Sequence, residues 1–144
     1  MTAIELASPI TATIAVLRAS AVVGEAGIEH IHGGEIPKDR VSIDEPRIVV
    51  VPSGLPNPKR DTLPTIIRRV DARCYGRTPM EAEQVQLAVV YALTVWKYGV
   101  AERHLVHWLN HVSGPVTMRD PNTDQPLQVV TFNIQMVRER VPAV

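Results

Sequence analysis

Five histidines fall in two clusters, His30 with His32, and His104 and His107 with His111. Neutral imidazole is the commonest metal ligand, so their spacing is a test for a metal site. On a helix, His107 and His111 lie one turn apart. The residues between them are Trp108, Leu109 and Asn110, where a His-Glu-x-x-His site carries the acid that acts as base. On strands, His30 and His32 share a face, as do His107 and His111, and four ligands meet only if those two strands lie side by side. No acid or cysteine completes either set, so the histidines read as polar-face or interface residues. Cys74, the one cysteine, has no local base and stands on the apolar side of an alternating run, which makes it a small buried side chain. Gly33-Gly34 leads into Glu35-Ile36-Pro37 rather than a helix, so it brings no helical N–H groups to a phosphate and reads as a turn. Ser53-Gly54, Ser113-Gly114, Glu81 and Glu83 belong to no nucleophile elbow or acid pair. The expectation is a protein that is not an enzyme, with no catalytic residues, no cofactor and no stoichiometric metal.

Lys59 and Arg60, followed by Arg68, Arg69 and Arg73, concentrate positive charge in one stretch. Asp61 and Asp71 dilute it, and basic residues on an edge strand also discourage unwanted pairing, so a dedicated anion site is the weaker interpretation. The loop from 52 to 61 is too rich in proline and glycine for regular structure and is expected to be exposed. A long tip that chain closure does not need is commonly functional, which makes Asn57, Lys59 and Arg60 candidate contacts with a neighbour. The same tip has no aromatic residue for base stacking.

With 144 residues, the chain has the length of one domain, 1–144, and can bury roughly 70% of its unfolded surface. Fifteen basic residues against fifteen acidic ones remove the broad attraction on which nucleic-acid readers and polybasic membrane anchors depend. No apolar run reaches a bilayer's thickness, a single cysteine makes no internal disulfide, and the N-terminus lacks the basic start of a signal peptide. A small soluble intracellular domain is expected.

The elements follow from periodicity. Ser8-Pro9 caps a helix over 9–23, with Ile10, Ile14, Leu17 and Ala21 on one face. A short strand at 28–31, a buried β-branched strand at 47–51 and a long half-buried strand at 63–75 follow. Thr78-Pro79-Met80-Glu81 opens a second helix whose stripe is Val85, Ala88, Val89, Ala92, Leu93 and Trp96, ending near Gly99. Residues 104–112 suit either a helix or a strand and are taken as a strand; 116–119 and 130–136 form a terminal hairpin about the turn at 120–124. The order α-β-β-β-α-β-β-β is not a βαβ alternation, so the fold class is α+β, a single mainly antiparallel β-sheet with two helices packed on one face.

Leu105-Val106-His107, Ser113-Gly114-Pro115, the run from Arg119-Asp120 to Gln125-Pro126 and the closing alternating strand together resemble the tail terminator, or tail completion, proteins of long-tailed phages and gene transfer agents. The amphipathic first helix, the Ile36-Pro37 turn and the join Arg73-Cys74-Tyr75-Gly76-Arg77-Thr78-Pro79 are similar to those families as well. The proline-rich loop at 53–61 and the histidine clusters depart from that pattern. The resemblance implies a structural subunit of the virion neck, assembled in the host cytoplasm. Its partners would be itself, in a homo-hexameric ring, the tail tube protein and a head-completion or connector protein. It implies no membrane and no sequence-specific nucleic-acid binding, although DNA passes through such a ring. Arg119 and Asp120 join Asn57, Lys59 and Arg60 as the expected interface. A head-tail connector, a small histidine-based metal-binding enzyme and a monomeric binding module are the alternatives.

Overall fold

The computed structural model describes residues 5–34, 45–54, 56–57 and 64–142. The Ile36-Pro37 turn and most of the tip of the proline-rich loop, including Lys59 and Arg60, lie outside the described residues. Ser8 caps α1 (Pro9–Ala19) by accepting from the Thr11 N–H at 3.3 Å. The single helix expected over 9–23 is in fact two. Ser20 takes up an extended backbone (φ −80°, ψ 124°) that ends α1, and its side chain then caps α2 (Ala21–Glu25) at the Val23 N–H. A serine that bonds the backbone locally competes with helix continuation, and no gap in the apolar spacing marks that break.

The strands are β1 (His30–Gly33), β2 (Arg47–Pro52), β3 (Thr65–Tyr75), β4 (Gly99–Ala101), β5 (His104–Arg119) and β6 (Pro126–Val137), with α3 (Pro79–Thr94) between β3 and β4. They form one six-stranded sheet in the order β1-β2-β3-β6-β5-β4. β1 and β2 run parallel and every other pair is antiparallel, so the sheet is mixed and the fold is α+β, as expected. Three details differ from the sequence pattern. α3 stops at Thr94 rather than near Gly99; β4 is an additional short strand; and 104–112 and 116–119 are one continuous β5. β5 passes through Gly114-Pro115 by slipping register against β6 between His111 and Val116, which absorbs residues that otherwise end a strand. Gly114 is needed there because its φ is +94° and a Cβ would stand 2.5 Å from the Val129 carbonyl oxygen.

The alternation in β3 and β6 decides what the sheet buries. Ile66, Val70, Ala72 and Cys74 of β3 and Val130, Phe132, Ile134 and Met136 of β6 point to the helix side, where α1 and α3 cover them. Full burial of Phe132 alone contributes on the order of 2–3 kcal/mol. A smaller apolar group, Val49, Tyr75 and Leu127 with Val51 and Val129, lies on the other face, which no described helix covers. No described helix is long and apolar enough to cross a membrane.

Candidate assembly surfaces

The residues singled out by sequence do not gather at one place. Asn57 is exposed, and its Oδ1 accepts the Arg69 backbone N–H at 3.1 Å, which pins the start of the proline-rich loop to β3. Arg119 and Asp120 stand where β5 ends. Arg119 donates to the Asp124 carbonyl at 2.8 Å and pairs with the Asp124 carboxylate at 3.8 Å across an exposed turn.

Asp120 is tied down more firmly. Its Oδ1 accepts the N–H groups of Asn122 (2.8 Å) and Thr123 (3.2 Å), an Asx turn that closes the hairpin. Its Oδ2 accepts from the Tyr75 hydroxyl at 3.0 Å. Tyr75 is 3% exposed and lies beneath the Arg47 guanidinium, 5.0 Å from the ring centroid, while Arg47 donates to the Gln125 side chain. Burial alone pushes the Asp120 carboxyl up, but the two N–H groups, the tyrosine hydroxyl and the Arg47 charge bring it below the usual range. Burial and the neighbouring carboxylate hold the Tyr75 hydroxyl protonated well into alkaline pH, against the opposing pull of Arg73. The effect is to lock the 120–125 turn onto β2 and β3. Beside it, on the face away from the helices, runs an open groove of about 510 Å³ with Leu127 and Val129 as its floor and Arg73 and Asp120 on its rim.

The histidine clusters do not converge. β1 and β5 are separated by β2, β3 and β6, a span of about 19 Å at the usual strand spacing. His30 pairs with Glu45 and stacks on His32, His107 stacks on Tyr98 at 5.1 Å, and the His111 ring lies tilted against Phe132 at 5.3 Å. His104 is 1% exposed, and desolvation, helped by the Arg140 charge, holds its pKa down. Among the described residues no three His, Cys, Asp or Glu side chains are placed to hold a metal ion. Cys74 is fully buried, its thiol pushed up by desolvation, which agrees with its inward position in the alternation.

The feature that sequence reasoning missed is on α3. Its inner face carries Ala82, Val85, Ala88, Val89, Ala92 and Leu93, as the stripe predicts. Its outer face carries Met80, Leu87, Tyr91 and Val95, between 49% and 71% exposed. Spacings of seven, four and four put those four residues in a single line along the helix. That signal was present in the sequence, but the stronger inner stripe accounted for the helix without it. The four residues of that line leave on the order of 400 Å² accessible, the size of the largest apolar patch on a typical monomer, which is often functional.

No protein-family model matches the chain, and no curated protein matches it. Among solved structures, a chain from the virion of a native gene transfer agent particle superposes with a TM-score of 0.66 at 15% identity, covering 90% of this chain and 95% of that one. The gp17 protein of bacteriophage SPP1 aligns over 92% of this chain and 90% of its own, at 14% identity and a TM-score of 0.49. The first of these likenesses shows a shared fold.

Proposed function

We propose that this chain is a non-enzymatic structural subunit of a phage-like tail, a tail terminator of one domain that assembles as a six-membered ring, caps the tail tube and joins it to the head. The observation that carries the proposal is the two-faced helix α3. One side is packed and the other exposes Met80, Leu87, Tyr91 and Val95 in one line, as expected of a subunit whose surface is completed by neighbours. The fold shared with a virion chain supports the same reading. So does the neutral overall charge, which sets no long-range repulsion between copies. In this proposal the protein resides in the virion neck after assembly in the host cytoplasm, the tube protein and a head-completion protein are its axial partners, and DNA passes through the ring without being read. Asn57, Lys59, Arg60, Arg119 and Asp120 are assigned to those contacts.

Native mass measurement of the purified chain, with electron micrographs of particles made with and without it, is the test. Rings of one defined size and tails of uniform length in its presence are the expected result. A connector on the head side would leave tails normal and heads empty or unjoined. Exchanging Lys59 and Arg60 for Glu should weaken joining without lowering Tm, because rim charges act on register and association rate.

A further inference from the structure

The chain carries a second exposed apolar set, separate from α3. β4 pairs with β5 only at residues 104–106, so from 107 to 119 β5 has β6 on one side and no described strand on the other. Along that open edge Val112, Val116 and Met118 are 36%, 58% and 46% exposed. Open strand edges invite partners unless they are covered. From Val112 to Met118 is about 20 Å of strand, and from Met80 to Val95 is about 22 Å of helix. The polar flanks correspond as well. Arg119 is exposed just beyond Met118, and Glu83 is exposed one turn from Met80 with no ion-pair partner among the described residues.

We propose that the outer line of α3 in one copy docks against the β5 arm, residues 110–119, of a second copy, with Leu87 and Tyr91 seated beside Val116 and Glu83 facing Arg119. The proposal rests on the ring reading and deepens it. Because the two surfaces differ, the contact is head-to-tail, and repetition of a head-to-tail contact closes into a ring when the rotation per step allows it. A contact of α3 with α3 would instead stop at a two-fold dimer. The outer line of α3 alone exposes on the order of 400 Å², about half of the roughly 800 Å² that each partner contributes to a stable complex, so the polar flanks on either side of the line belong to the contact as well. Pro115 has no N–H to donate, so any strand added along this edge would lose a donor there.

The buried Cys74 makes the chain a nearly silent background for introduced thiols. The experiment compares L87C, V116C and the double variant after brief treatment with a short bismaleimide under native conditions, beside native mass measurement of the unmodified chain. A ladder of covalent oligomers from the double variant, and none from either single variant, is the expected result. Cross-linked dimers from L87C alone would overturn the proposal in favour of α3 against α3. Rings of the unmodified chain without a ladder from the double variant would overturn this contact and leave the ring reading standing. A chain that stays monomeric both alone and with tail tubes would overturn both. As a second measurement, Tyr91→Glu should raise the concentration for half-assembly by about tenfold or more with Tm unchanged, because the side chain is exposed in the single copy. Unaltered assembly of that variant would also remove α3 from the interface.

Discussion

Gly76→Ala probes how β3 hands the chain to α3. Gly76 donates to the Pro126 carbonyl at 3.2 Å, and the next residues latch the helix, with Arg77 bonded to Glu81 and the Thr78 hydroxyl capping the Glu81 N–H. A Cβ on residue 76 would stand 2.3 Å from the Ala82 nitrogen, 2.7 Å from the Glu81 carbonyl carbon and 2.9 Å from the Ala82 Cα. These are backbone atoms of the first helical turn, so no side chain can swing aside. Relief needs α3 to move by about 1 Å, which costs the upper end of the 1–3 kcal/mol typical of overpacking. The alanine returns about 0.5 kcal/mol by narrowing the unfolded ensemble. A net loss of about 2–3 kcal/mol, or roughly 8 °C in Tm, should appear in denaturant unfolding followed by Trp96 and Trp108 fluorescence, as a lower midpoint at unchanged slope. Gly24→Ala, where a Cβ meets nothing, is the control and should be neutral or slightly stabilising. A loss below about 0.5 kcal/mol for Gly76→Ala would refute the stated closeness of β3 and α3.

Tyr75→Phe should cost about 1–2 kcal/mol by removing a hydroxyl bonded to a carboxylate; in a double-mutant cycle with Asp120→Asn, coupling near zero would show that the two residues do not hold each other. Stability should fall on acidification below the ordinary histidine range, because His104 is held neutral when folded and protonates more readily once unfolded. Its contribution is present above about pH 6.5 and is lost as pH falls through the depressed folded value, so His104→Gln should flatten that part of a Tm-against-pH curve. A variant curve parallel to the parent's would count against it. The Cys74 thiol should resist labelling until denaturant is added; fast native labelling would place it on the outer side of β3. Thr78→Ala should cost about 1 kcal/mol through the lost cap, read as a lower chemical midpoint; an unchanged midpoint would mean the helix start is held by the Arg77 latch alone.

Where local chemistry and tertiary packing agree, the elements were legible. β2, β3 and β6 carry alternation or β-branched runs that one buried face demands, and Thr78-Pro79 marks the start of α3 to the residue. Where a side chain competes with the backbone, or a distant strand decides, they were not. Ser20 cuts a helix whose apolar spacing continues across it. Gly114-Pro115 reads as a loop, yet β6 keeps it in the sheet, because pairing on both sides of the irregularity outweighs the local preference. β4 is three residues long and exists by pairing with the start of β5. Nothing in the residues of β1 signals that it runs parallel to β2, since that direction depends on the path between the two strands.

The candidate surface escaped for a different reason. Amphipathicity is read as a contrast between two faces, and α3 has little contrast: the line Met80, Leu87, Tyr91, Val95 lies opposite Val85, Val89, Ala92 and Leu93. For a helix within one subunit such a pattern implies burial all round. α3 is buried on one side only, so the two conditions are reconciled when the second side is covered by something outside the single chain. The charged loop tip drew attention because it is polar and rich in turns, which are the usual marks of a contact loop. The residues with the larger energetic reach are apolar and sit on a rigid helix, where burial of Tyr91 and Leu87 against a neighbour would contribute about 1.5–3 kcal/mol each. In the proposed assembly the outward apolar line on α3 would supply the affinity, while Arg119 and Asp120 would set the orientation in which copies meet.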